Sequence, residues 1–118
     1  MAYINRKYIS GSIVVGQSQS NIFSLNEDSA VGLVISASTV TGTAMTFLGS
    51  IDGTNFYPVY DNTGTEVNIS VGATARIVAF NISSFYPYNY LKCRLGTSAS
   101  AVNQATYDTT LTLVTKNL

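Results

Sequence analysis

The 118-residue chain contains no histidine and no tryptophan, a single cysteine and two prolines, and only 10% of its residues are charged. Without histidine there is no imidazole to activate a serine or cysteine near neutral pH, which excludes Ser-His-Asp and Cys-His hydrolases within this chain and removes the commonest zinc ligand. Cys93 stands alone, so neither an internal disulfide nor a Cys-x-x-Cys redox or zinc pair can form. Six Lys plus Arg balance six Asp plus Glu, and the large positive field expected of a nucleic-acid or anionic-membrane binder is missing. No apolar run approaches the roughly 20 residues that span a bilayer, and none follows Arg6 and Lys7 as a secretion signal requires. The expectation is a chain made in a cytoplasm, with no nucleic-acid or membrane partner, no metal, no cofactor and no enzymatic activity.

What is present is apolar and rich in β-formers. Hydrophobic residues make up 46% of the chain, enough at this length for one domain, residues 1–118, with a core that needs no disulfide or metal. A positive mean hydropathy combined with zero net charge opposes self-association only weakly, so part of the surface is expected to be covered by a partner. Runs of Val, Ile, Thr, Tyr and Phe alternate with clusters of Gly, Ser, Asn and Asp about every ten residues, the spacing of a sandwich or barrel. Strands are predicted over Tyr3–Ile9, Ser12–Val15, Val31–Ser36, Ala44–Ile51, Phe56–Tyr60, Glu66–Val71, Thr74–Phe80, Tyr90–Leu95 and Thr109–Thr115, with one helical turn over Asn81–Tyr86. The fold class predicted is all-β: a single antiparallel β-sandwich, jelly-roll-like, of about eight strands. Within Ala44–Ile51 the alternation places Met45, Phe47, Gly49 and Ile51 on a buried face and Thr46, Leu48 and Ser50 on a face at least partly wet.

Candidate chemistry is sparse. Asp52-Gly53-Thr54-Asn55 and Asp61-Asn62-Thr63-Gly64 offer oxygen ligands on tight loops, but Asp, Asn and Gly are also what turns demand, and neither segment fits an EF-hand. Cys93 shares a predicted face with Leu91 and Leu95 and reads as a small buried hydrophobe. Eight tyrosines are the more informative feature. Tyr86, Tyr88 and Tyr90 crowd one short segment, where aromatic rings pack into a core, dock on a protein, or stack on a sugar. The first ten residues hold Tyr3, Arg6, Lys7 and Tyr8; they form either an extended arm that adds a strand to a neighbour or simply the first strand of the sandwich. Tyr3, Arg6, Lys7, Tyr8, Tyr86, Tyr88 and Tyr90 are the candidate protein-interface residues.

Three segments carry a resemblance: Thr46 to Tyr60 (TFLGSIDGTNFYPVY), Ala75 to Phe80 (ARIVAF), and Leu91 to Ala99 (LKCRLGTSA) with Gln104-Ala105. Together they resemble small β-rich virion proteins of tailed bacteriophages, including capsid decoration or cement proteins, over about two-thirds of the chain. The resemblance implies a non-enzymatic protein on the outer surface of the phage head, bound to the major capsid protein and stabilising its lattice, as a homo-oligomer for which a trimer suits a three-fold position. Ser50 to Phe56 also resembles the S-x-D-G-x-x-W hairpin of discoidin-like jelly rolls, with Phe56 where that family usually has Trp. That second likeness implies a carbohydrate-binding module of a tail or baseplate, with Tyr57, Tyr60, Tyr86 and Tyr88 as its stacking residues.

Overall fold

A computed structural model describes residues 6–36, 40–72, 74–85 and 87–117. Among the described residues nine strands form: β1 (Arg6–Ile13), β2 (Phe23–Ser24), β3 (Ser29–Ile35), β4 (Ala44–Ser50), β5 (Tyr57–Pro58), β6 (Asn68–Ser70), β7 (Arg76–Ala79), β8 (Tyr90–Leu95) and β9 (Thr109–Lys116). A 3₁₀ turn over Ile82–Phe85 lies between β7 and β8. Two antiparallel sheets result. The first has the order β1-β9-β3-β7; the second has the order β2-β8-β4-β5, with β6 also paired to β4. The predicted all-β sandwich is therefore the observed fold.

The core lies between the sheets and follows from strand alternation. Ile13, Leu33, Ile35, Leu111 and Leu113 come from the first sheet, and Phe23, Met45, Phe47, Leu91, Cys93 and Leu95 from the second, all fully or almost fully buried. Phe80 and Phe85, on either side of the 3₁₀ turn's start, stack on each other at 4.4 Å, and both meet Phe47 edge-on at 5.2 Å. These rings form an aromatic cluster packed against the core.

Two expectations fail for reasons of packing. Ser10-Gly11-Ser12 reads as a break between two strands, yet β1 runs unbroken through it, with Ser10 opposite Thr112, Gly11 opposite Leu111 and Ser12 opposite Thr110. Gly11 is required by space and not by a turn, because a Cβ there would come within 2.6 Å of the Phe23 ring and of Asn21 Oδ1. Val14, predicted in a strand, instead opens a turn that Gly16 completes at φ +86°, with Gln17 N–H donating to Val14 O at 2.9 Å. The second failure concerns β4, whose Thr46, Leu48 and Ser50 are as buried as Met45 and Phe47, while Ile51, just past the strand, is 72% exposed. β4 is a central strand, and the far side of its sheet is roofed by side chains from other segments.

That roof is a polar cluster. Glu66 Oε2 accepts from Arg94 Nη2 at 2.6 Å, and Arg94 Nε donates to Thr46 Oγ1 at 3.1 Å. Thr46 Oγ1 in turn donates to Gly96 O at 2.8 Å, and the Glu66 carboxylate also accepts the Ser98 N–H at 3.1 Å. The cluster ties the β6 approach and the Gly96–Ala101 loop onto the middle of β4. Toward the other end of the same face, the Lys92 ammonium stands 4.6 Å above the Phe56 ring.

Candidate interaction surfaces

The two acidic turns are internally satisfied. Asp52 Oδ1 accepts the N–H groups of Thr54 and Asn55 at 2.9 and 2.8 Å and the Ser50 hydroxyl at 2.9 Å; these bonds hold its carboxyl well below the usual carboxylate range. Asp61 does the same with Thr63 and Thr65, led by the Thr63 hydroxyl, and its pKa is likewise lowered. Both carboxylates cap turns, the role that Asx-turn chemistry assigns them. Among the described residues no group of three or more His, Cys, Asp and Glu gathers in a way that could hold a metal ion. Cys93 is buried in the core, and burial pushes its thiol up to about 12, which leaves it protonated and unreactive near neutral pH.

The candidate interface residues fall in different places. Tyr3 and Tyr86 lie outside the described residues. Arg6, Lys7 and Tyr8 belong to β1, where Tyr8 is 67% exposed and Lys7 forms an ion pair with Asp28 at 3.0 Å. Tyr88 is packed into the core: its ring lies over Gly49, where a Cβ would come within 2.8 Å of it, and its hydroxyl donates to Ser84 O at 2.9 Å. Burial pushes the Tyr88 phenol far above its ordinary value. Tyr90 is half-buried in β8, its ring beneath the Gly53 turn.

Around Tyr8 the structure assembles a surface larger than the tyrosine itself. Its cross-strand partner is Val114, which pairs in turn with Gly32, itself opposite Ala79. The adjacent row runs Ser10, Thr112, Val34, Ile77, and Ile77 is 76% exposed. This outer face of the first sheet is uncharged except at one end, where Arg6 stands directly opposite Lys116. The alternation of Thr with Leu and Val in β9 is its signature in the sequence, but the contribution of Ile77 depends on the pairing of β7 with β3 and has no local signal.

A second surface is a groove of about 310 Å³ at the β5 side of the other sheet, lined among others by Ile51, Tyr57, Pro58, Tyr60, Pro87 and Tyr88. Tyr57 and Tyr60 expose 66% and 51% of their surface, so their faces are available for contact. Tyr60 is steadied by its hydroxyl, 3.1 Å from Ser98 Oγ. A third apolar cluster sits at one end of the sandwich, where Tyr107 is exposed near the Val14-Val15 turn. It is anchored by Asp108 Oδ1, which accepts the Val15 N–H at 2.9 Å, and by Thr106, held at φ +67° inside a Tyr107 N–H to Ala105 O bond of 2.7 Å. That combination is a γ-turn of the strained hand, on a β-branched residue.

No protein-family model and no curated protein sequence matches the chain. Among solved structures it is similar to the crystal structure of the SPBc2 prophage-derived protein YomS, with a TM-score of 0.61 at 12% sequence identity, covering 98% of this chain and 96% of that one. At that identity the likeness is one of fold, and it runs through the whole domain.

Proposed function

We propose that this chain is a structural component of a bacteriophage particle, and specifically a capsid decoration protein that binds the outer surface of the head and stabilises the coat lattice without catalysing a reaction. The observation that carries the reading is the end-to-end likeness of fold to a prophage-derived protein. The nearly uncharged outer face of the first sheet, with Tyr8 and Ile77 exposed on it, supports it, because such a face gains more from being covered by protein than from hydration. The mechanism is mechanical. Each copy bridges neighbouring coat subunits, so expansion or rupture of the shell must also break those contacts, and repetition over the lattice multiplies a modest contact energy. A closed homo-oligomer on a local symmetry axis, a trimer at a three-fold position, presents several copies of that face at once.

The test is the copy number of the polypeptide in purified particles, by quantitative mass spectrometry against the major coat protein, together with the temperature at which decorated and bare heads rupture. One copy per coat subunit, or a simple lattice fraction of it, with a higher rupture temperature for decorated heads, is expected. Absence from particles, or equal rupture temperatures, refutes the reading.

A second reading is favoured by one observation: three of the four tyrosines proposed to stack on sugars, Tyr57, Tyr60 and Tyr88, line a single groove. A carbohydrate-binding module of a tail or baseplate would use the exposed faces of Tyr57 and Tyr60. It predicts glycan binding that Tyr57→Ala abolishes, and a copy number suited to a handful of tail positions.

A further inference from the structure

Strand β1 is an outermost strand of its sheet and eight residues long. Its pairing determines which of its backbone groups are free. Ser36 N–H donates to Thr110 O, so Thr110 turns its peptide groups toward β3 and away from β1. Ser12 stands opposite Thr110, and the even-numbered residues of β1 therefore direct their N–H and C=O groups outward, while Lys7, Ile9, Gly11 and Ile13 bond to β9. The same parity follows from Asn21, whose Oδ1 reaches round to accept the outward Ser12 N–H at 2.9 Å. This side-chain cap closes one end of the edge. From Arg6 to Ser10 the outward groups have no partner among the described residues, which leaves a short template for another strand.

Charge at the open end selects what would fit. Arg6 and Lys116 face each other across the ladder, an arrangement that is unfavourable when left alone. Asp28, the carboxylate nearest in the pattern of pairing, is already engaged by Lys7. None of the outward side chains on the four strands of this sheet is a carboxylate. A second copy of this chain, added antiparallel about Tyr8, would place its Ser10 opposite Arg6 and bring no negative charge to the pair.

We propose that the open edge of β1, Arg6 to Ser10, is completed by an extended segment of another protein that carries a carboxylate against Arg6 and Lys116. The inference rests on the reading of the chain as a particle component and adds to it where the coat contact lies and what chemistry it has. Main-chain hydrogen bonds supply the attachment, and the acidic group sets direction and register.

The experiment uses the full chain, isotope-labelled, and short synthetic peptides of alternating Thr and Val that end in two Asp or in two Lys residues, at either terminus so that both strand directions are sampled. The expected result is that an Asp-ended peptide shifts the amide resonances of Tyr8 and Ser10 and slows their hydrogen exchange, leaves Lys7 and Ile9 little changed, and binds about tenfold more tightly than its Lys-ended counterpart. Tyr8→Pro and Ser10→Pro each remove an outward donor without touching the β9 ladder, and each abolishes the effect while the remaining spectrum stays that of the folded domain. Four results overturn the proposal: no shift with any peptide, equal affinity for the Asp and Lys peptides, binding that survives both proline variants, or Tyr8 and Ser10 amides that become protected with rising protein concentration alone, the sign of a second copy on the edge. A chain that is abundant in particles but has an inert β1 edge would overturn this inference and leave the proposed function standing.

Discussion

Removing Glu66 should be among the most damaging single changes in the molecule that touch no apolar side chain. The Arg94 and Glu66 side chains are 8% and 13% exposed, so the pair is not a surface salt bridge of negligible worth. Glu66→Ala leaves the Arg94 guanidinium buried with Thr46 Oγ1 as its remaining acceptor, and stranding a buried charge costs about 3–5 kcal/mol. The reverse change is milder. In Arg94→Met the carboxylate keeps the Ser98 N–H and hydroxyl, at 3.1 and 3.2 Å, and the expected cost is about 2 kcal/mol. The double variant removes both charges together and should be more stable than Glu66→Ala alone, so the coupling energy exceeds the cost of Arg94→Met, about 2 kcal/mol. Urea unfolding followed by circular dichroism reads all three: with a slope of about 2 kcal/mol/M, Glu66→Ala lowers the midpoint by about 2 M at unchanged slope. A loss below about 1 kcal/mol for Glu66→Ala, or a double variant whose cost equals the sum of the singles, would refute the account of this cluster.

Thr109 and Thr115 are fully buried at the two ends of β9, and neither hydroxyl has a partner among the described residues; Thr109→Val and Thr115→Val, which keep the shape, should each raise stability by about 1 kcal/mol, and a lower denaturation midpoint for either contradicts this. Cys93 makes stability fall at alkaline pH. Its folded pKa is raised from 9.0 to about 12, so its contribution is fully present below pH 9 and is lost as the unfolded thiol ionises while the folded one does not, at up to about 1.4 kcal/mol per pH unit over that window. Cys93→Ala should flatten the stability profile between pH 9 and 10, below the range in which the unfolded Tyr88 phenol ionises, and an unaltered profile there would count against that assignment. Gly49→Ala drives a methyl into the Tyr88 ring; overpacking of this kind costs about 1–3 kcal/mol, and a melting temperature lower by about 5 °C or more is expected.

The sandwich was legible because its strands alternate and its turns use the residues turns need. Asp52-Gly53 and Asp61 to Gly64 turn the chain where their side-chain chemistry says, and Leu91, Cys93 and Leu95 share the buried face that their spacing assigns. What could not be read depends mostly on residues far apart in the chain. Thr46 is covered by Arg94 and, through it, Glu66, which arrive from other segments, and Ser50 is turned into the Asp52-Gly53 turn that its own hydroxyl holds. Gly11 resembled a strand break because a glycine demanded by the Phe23 ring and one demanded by a turn are the same letter. Tyr88 showed its aromatic character but not its direction, which is set by the space above Gly49. Of the candidate interface, Arg6, Lys7 and Tyr8 stand out in the first ten residues of the sequence, whereas their neighbours Val34, Val114 and Ile77 join them only through strand order.

The pairing of Arg6 with Lys116 carries one more consequence. The first and last strands are neighbours and run in opposite directions, so the described chain enters and leaves the domain at one pole, side by side. Their contact spans almost the whole sequence, which makes it the costliest loop to close and places it late in folding. Joining the ends by a short linker and opening the chain at the exposed Asn62-Thr63 turn would make that closure covalent, and the circular permutant should fold faster than the parent while keeping the same sandwich.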